Sequence, residues 1–314
     1  MKGLGRRLLG ERRYVKVARV LKPREIAANY GDRKILLSVD EGAALMADVT
    51  GKGTPAAIGK IGASELRACR EASRLVNGSS TVVSKTVLSE LHVNAGVFPP
   101  MASTIVQFAN CYRRIAAEID VLAVWFNEGE REFVESHVPA ARLMRVIPLE
   151  PYAASRSPWS VNLAGKRVVV VTPFSRSVES QYARRRKVWA ARPEILPEFH
   201  LRTVQAPFSD GLVKSPHKDW FAALETLKCE LAREPFDFAL IGCSAFSLPL
   251  AVEAKRLGGI GIHLGGATQL LFGILGARWD DSEYLRQFVN ENWVRPSAEE
   301  RPPDFRNIEG GSYW

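Results

Sequence analysis

Cysteine is scarce in this chain and poorly placed for its structural uses. Cys69, Cys111, Cys229 and Cys243 are widely separated among 314 residues and form no CxxC pair. That spacing argues against a structural zinc site and a disulfide scaffold, and fits a reducing compartment. No apolar run reaches the length of a membrane span. The basic N-terminus lacks the apolar stretch and cleavage site of a signal peptide, so a cytoplasmic protein is expected. The fingerprints GxGxxG and Walker A are missing, which argues against a dinucleotide fold, NAD and a P-loop. HExxH is missing too, and no Ser-His-Asp ordering surrounds a nucleophile elbow, so zinc-protease and serine-hydrolase readings are weak. No RNP-type aromatic motif, zinc-finger spacing or basic heptad region points to nucleic acid.

What is present is an ordinary soluble composition, 46% hydrophobic and 25% charged, with a net charge of +9. The basic excess is clustered at Lys2 to Lys16 and at Arg184-Arg185-Arg186-Lys187. Two readings of these clusters stand: a solvated face, or attraction to an anionic surface or ligand such as inner-leaflet lipid or a lipid diphosphate.

Strand and helix patterns alternate along most of the chain. Pro55 to Ile61 reads as a strand, Gly62-Ala63-Ser64 as a turn and Glu65 to Val76 as a helix. A mixed stretch to Phe98-Pro99-Pro100 reads as loop. A helix at Ser103 to Ile119, a buried strand at Val121 to Trp125, a helix at Glu128 to Ser136 and a strand at Leu143 to Ile147 follow. Glu150 to Trp159, rich in Pro and Ser, is the expected boundary between halves 55–150 and 160–280. Gly165 to Phe174 is a continuous apolar strand, followed by a basic helix at Val178 to Trp189. A strand at His200 to Val204 and a helix at Trp220 to Arg233 lead into Asp237 to Asp280. There Phe238–Ile241, Gly242-Cys243-Ser244, a helix through Arg256, Ile260–Leu264 and Gly265-Gly266 make a βαβ unit. Residues 1–54 are expected to be a basic extension, helical in part around Arg12 to Leu21. Residues 281–314 are expected to be a tail that wraps the surface. The fold class is therefore α/β, with a mainly parallel, Rossmann-like sheet and flanking helices.

In such sheets ligands bind beyond the carboxyl ends of the strands, where these small-residue turns fall. A helix N-terminus and glycines that admit close backbone approach suit a phosphate. Tight packing turns would look the same. Glu65 is either a helix-dipole partner in a first turn or a carboxylate facing the cleft. His263 is either a phosphate contact or acid–base group, or a hydrogen-bonded core histidine. Arg278 and Trp279 could clamp phosphate and stack on a ring, or pack together on the surface. Trp159 and Tyr152 suit sugar stacking or anchoring of the halves. A thiol nucleophile at Cys243 beside His263 stays open as well.

Four segments together resemble the GT-D-type glycosyltransferases of bacterial capsule and exopolysaccharide biosynthesis. They are Ile58 to Leu66; Leu149 to Tyr152 with Pro158-Trp159-Ser160 and Gly165-Lys166, running on to Thr172-Pro173-Phe174; Ile262 to Gln269 with Phe272 to Trp279; and Trp293 to Pro296 with Ile308 to Trp314. The likeness spans residues 55–314. It implies a nucleotide-diphosphate sugar as donor and a glycan or lipid-linked acceptor, with contact at the membrane surface and no nucleic acid. On this resemblance the nucleotide sugar would contact Gly62, Ser64, Trp159, Pro173, Phe174, Gly242, Cys243, Ser244, His263, Gly265, Gly266, Gln269 and Trp279. Glu65, Lys60 and Arg278 would carry the chemistry. The family's first turn holds an Asp-x-Glu pair implicated in binding Mn2+ or Mg2+. Here the triplet is Ala63-Ser64-Glu65. One carboxylate is a poor sole holder of a divalent cation, so Lys60, Arg278 or His263 would neutralise the leaving diphosphate instead.

Overall fold

The computed structural model describes residues 30, 33–154, 156, 158–209 and 215–314. The basic cluster at Lys2 to Lys16 and the helix expected at Arg12 to Leu21 lie outside the described residues.

Among the described residues eight strands form one sheet: β1 (Ile35–Leu36), β2 (Ala56–Gly59), β3 (Val121–Val124), β4 (Arg142–Arg145), β5 (Arg167–Thr172), β6 (His200–Gln205), β7 (Phe238–Ile241) and β8 (Ile260–His263). Their spatial order is β1-β4-β3-β2-β8-β7-β5-β6, and every pairing is parallel. The protein thus has an α/β, Rossmann-like fold. The strands are short runs rich in Val, Ile, Leu and Ala, which suits a sheet covered on both faces. Alternate residues feed two cores: Ala57, Leu122, Val169, Val171, Ala239 and Ile241 point to one, and Ile58, Ala123, Val168, Val170, Phe238 and Leu240 to the other.

The first core is closed by α2 (Ala63–Val76), α3 (Lys85–Ala95), α4 (Ala102–Ala116), α5 (Glu130–His137), α8 (Trp220–Ala232) and α9 (Ser247–Arg256). The second is closed by α1 (Val39–Gly51), α6 (Ser175–Ala183), α7 (Arg185–Val188), α10 (Ala267–Leu271) and α11 (Glu283–Arg286), with 3₁₀ turns between. This segregation follows from right-handed crossovers. Connections running toward β1 place their helices on one face, and those running toward β6 place them on the other. Helices leaving the adjacent strands β2, β8, β7 and β5 therefore alternate between faces. Open parallel sheets bind ligands beyond the carboxyl ends of strands whose connections diverge in this way.

Several expectations need correction. Residues 35–51, assigned on sequence to a basic extension, supply an edge strand paired with β4 and the helix α1. The halves 55–150 and 160–280, by contrast, supply opposite sides of one continuous sheet, joined where β2 pairs with β8 from Ala56↔Ile260 to Ile58↔Ile262. The Glu150–Trp159 stretch, read as a linker, is partly wound into 3₁₀ turns whose Tyr152 and Trp159 are only 1% exposed. The stretch before Phe98 contains α3. The basic helix at 178–189 is two pieces, α6 and α7, broken at Arg184. The tail is anchored as well as wrapped: Ile308 and Trp314 are buried against Phe174, with Phe208, Phe305 and Tyr313 packed around them.

Candidate functional site

The carboxyl edge of β2 and β8 gathers the charged groups. Lys60 follows β2, and its ammonium donates to the Leu264 carbonyl at 2.9 Å, just beyond β8. Gly265 has φ +61, and a Cβ there would lie 3.3 Å from Lys60 Nζ. A Cβ on Gly266 would lie 3.6 Å from an Arg278 guanidinium nitrogen and 3.3 Å from the Trp279 ring. The Gly265-Gly266 turn is therefore flanked by Lys60 on one side and Arg278 with Trp279 on the other. Burial pulls the Lys60 ammonium down to about 8; Glu150 and Glu65 oppose this, and the charge of Arg278 adds to it.

Arg278 is fixed from several directions. Its Nη2 pairs with Glu309, and its guanidinium lies 4.5 Å from the Tyr313 ring and 5.6 Å from the Trp279 ring. The tail is pinned alongside by Arg278 N donating to Ser312 O at 3.0 Å and Ala277 N to Trp314 O at 2.9 Å. Glu309 sits at φ +46, rare for a residue with a side chain.

Glu65 starts α2 beside this group. Its carboxylate folds back over the N-cap, so that a Cβ on Gly62 would lie 2.2 Å from Oε2, and it accepts from its own N–H. It is 9% exposed. Burial raises its pKa, opposed by that N–H; Glu309 raises it further, while Arg67 and Lys60 lower it. This geometry matches the reading of Glu65 as a helix-dipole partner in a first turn, and the carboxylate also lies within the field of Lys60 and Glu309. Ser64 is half-buried in the same first turn.

His263 closes β8 at 7% exposure. Its ring hydrogen-bonds to the Lys60 main chain, and Nδ1 has no partner. Burial pushes its pKa down to about 3, helped by Lys60 and opposed by the main-chain bond. It is a neutral core histidine that supports Lys60, not an acid–base group near neutrality.

Other expected contacts fall away from ligand reach. Trp159 is in the core, donating from its indole to Leu149 O at 3.1 Å, and so offers no ring for a sugar. Phe174 is 4% exposed and packs edge-on to Trp314 and Phe208. Pro173 lies beside it, its carbonyl taken by Gln205 Nε2 at 2.9 Å. The N-terminus of α6, which follows that turn, is filled by Glu300, which is 5% exposed and accepts from Arg176 N at 2.8 Å, Ser177 N at 3.2 Å and the Ser177 hydroxyl. Gln269 is buried, bonding Tyr313 O at 3.0 Å. Gly242 is a packing turn, since a Cβ would strike Gly265 O and Thr268 Oγ1, each at 2.5 Å. Cys243 is buried, its N–H donating to Ser247 Oγ at 2.9 Å, while Ser244 sits half-exposed at φ +49.

The residues do not fit the divalent cation that the family resemblance implies. Among the described residues no three of His, Cys, Asp and Glu gather to hold a metal. Glu65, the one acid of the expected pair, is turned onto its own helix.

Sequence reasoning missed Glu150, Glu309 and Trp125. Glu150 is half-buried, with a pKa raised by burial and lowered by Lys60. Trp125, which had been read as the end of a buried strand, has its ring centroid 5.0 Å from Lys60 Nζ. The Glu309-Gly310-Gly311 run was the available signal for a strained turn in the tail.

The fold and this edge define an α/β protein in which Lys60 and Arg278 flank the Gly265-Gly266 turn, with the carboxylates of Glu65, Glu150 and Glu309 close by. Comparison with protein-family models, curated proteins and solved structures returns no match for the chain. Among the described residues no helix is long and apolar enough to cross a membrane.

Proposed function

We propose that this protein is a glycosyltransferase that moves a sugar from a nucleotide-diphosphate sugar to a glycan or lipid-linked acceptor in cell-surface polysaccharide assembly. One observation carries the reading: Lys60 and Arg278 flank the Gly265-Gly266 turn at the carboxyl end of β8, with the Glu65 carboxylate on the neighbouring turn. The diphosphate would rest on that turn. As the bond from the sugar's anomeric carbon to the phosphate oxygen breaks, negative charge grows on the leaving diphosphate, and the two cations offset it. Glu65, its pKa raised by burial, would take the acceptor hydroxyl's proton as the new glycosidic bond forms. The resemblance of the four segments to GT-D-type enzymes supports the same chemistry. On this proposal the protein works in the cytoplasm, with its basic clusters turned to the inner membrane that holds the acceptor.

A second reading has its own support. Glu65 is folded onto its own helix and Ala63 stands where the family has an acid, which favours a nucleotide-sugar or glycan-binding protein without turnover.

Thermal-shift screening with UDP-, GDP-, dTDP- and CMP-sugars and NAD(P), with manganese and with chelator, tests both. Stabilisation by a sugar nucleotide with measurable transfer or slow hydrolysis is the expected result. Stabilisation by NAD(P) alone would end the transferase reading, and binding with no turnover would favour the second. Glu65→Gln should abolish turnover and leave the melting temperature within a few degrees; full activity would remove Glu65 from the chemistry.

A further inference from the structure

The loop after β3 is held by an unusual amount of buried polar structure. Glu130 is fully buried, yet its carboxylate accepts from Trp125 N at 3.1 Å, Asn127 N at 3.1 Å and the Tyr30 hydroxyl at 3.0 Å. A buried carboxylate persists only when hydrogen bonds replace its water, and here two of those bonds come from the loop backbone. Between them Phe126 is held at φ +59, an outlier for so bulky a residue. Its ring is braced edge-on by Tyr30, centroids 5.9 Å apart. A surface turn does not require such a clamp for its own sake. Its effect is to fix Trp125, which is half-buried at the sheet's carboxyl edge with its ring 5.0 Å from Lys60 Nζ.

We propose that Trp125 is the platform on which the donor's sugar ring lies, and that Glu130 is the positioning residue that holds it there. The proposal rests on the sugar-nucleotide reading of the Lys60–Arg278 edge and says which part of the ligand goes where. With the sugar-bearing phosphate of the donor on Lys60, a ring about 5 Å away is within reach of the sugar bonded to that phosphate. The nucleobase lies farther off, beyond the second phosphate and the ribose. The apolar C–H face of a pyranose suits an indole face, and its hydroxyl edge stays free for polar partners.

Calorimetric titration of matched pairs separates the possibilities: UDP-glucose against UDP, GDP-mannose against GDP, and dTDP-glucose against dTDP. Trp125→Ala should weaken the sugar nucleotide about tenfold and the nucleoside diphosphate less than twofold. Trp125→Phe, which keeps a smaller ring, should fall between. Glu130→Gln should show the same selective loss, and the double variant should be no worse than Trp125→Ala alone, because both act through one ring. A residue with only a structural role would weaken both members of a pair and add to the Trp125 loss. Equal loss for both ligands, or no loss for either, overturns the platform while leaving the diphosphate site standing. Failure of the wild-type protein to bind any pair overturns the sugar-nucleotide reading and the platform together.

Discussion

Replacing His263 should make the folded protein less sensitive to acid, by an amount the structure sets. Burial beside Lys60 brings its folded pKa to about 3, against an ordinary 6.5. Between those values the unfolded chain binds a proton that the folded protein refuses, so acid favours unfolding. The contribution is whole above pH 6.5 and drains as the pH falls toward about 3. From pH 7 to pH 5 the loss comes to about 2 kcal/mol. Glu65, Glu130 and Glu150 have the opposite sign. Their raised pKa values let the folded protein take up protons first, so their effect favours folding as pH falls. The total pH dependence of the wild type therefore mixes both trends, and only a difference isolates the histidine. Urea unfolding of wild type and His263→Gln at pH 7 and pH 5 supplies it, since the carboxylates are common to both proteins. The wild type should lose about 2 kcal/mol more than the variant. Losses that agree within about 0.5 kcal/mol would refute the view of His263 as a buried neutral ring pressed by Lys60.

Lys60, with a pKa near 8, should set an alkaline limit on diphosphate binding: titrated with UDP, affinity should fall toward about tenfold per pH unit above that value, and Lys60→Arg should bind evenly to pH 10. An unchanged alkaline fall in the arginine variant would place the titrating group elsewhere. The two tail carboxylates should separate by assay. Glu300→Gln should cost about 2 kcal/mol in urea unfolding, because a buried charged acceptor leaves the α6 N-terminus, with nucleotide affinity unchanged. Glu309→Gln should barely move stability but weaken UDP binding severalfold, because it loosens Arg278. The reverse pattern would exchange their roles.

The alternation of strand and helix was legible mainly where strands are short apolar runs, as at β2, β3, β5, β7 and β8, several of them ending at a small or proline-marked turn. The order of strands was not. The β2–β8 pairing joins residues some two hundred positions apart, and nothing local in Ala56–Gly59 names its neighbour. β1 has only two residues, too few for a period to register. Helix α3 was hidden because Lys85–Ala95 buries only Leu91 and Ala95, leaving little amphipathic signal. At the site, the strand–turn–helix pattern led to Glu65 and the Gly265-Gly266 turn, the loop after Gly273 and Gly276 to Arg278, and the family resemblance to Lys60. Trp279 lies at the Gly265-Gly266 turn, but the assignments of Trp159 and Phe174 failed for one reason: whether a ring is open or covered is decided by distant chain. Trp159 is covered by the 3₁₀ turns around it and Phe174 by the tail, while Trp125 stays half-open because its strand ends at the sheet's edge. Residue type was readable, but accessibility depended on packing.

Two places on the carboxyl edge attract an anion, and the chain treats them differently. At the N-terminus of α6 the Glu300 carboxylate takes two main-chain N–H groups and a hydroxyl, and it is buried while doing so. A phosphate would have to expel it together with the Trp314 anchor, whose indole donates to the Glu300 carbonyl at 3.0 Å. That position is closed, which is why Pro173 and Phe174 drop out of the site. At Arg278 the tail engages the cation through the Glu309 carboxylate and the Tyr313 side chain. Glu309 engages Nη2, while Nη1 is the nitrogen that faces Gly266. A guanidinium can serve two partners at once through its planar fork, so a carboxylate on one arm orients the other without consuming it. On the proposed reading the diphosphate would take its place beside Nη1, and the aromatic rings of Tyr313 and Trp279 lie against the guanidinium. The proposal therefore puts the ligand between Lys60 and Arg278 and not at the α6 N-terminus, and the tail that closes the first position also holds Arg278 at the second.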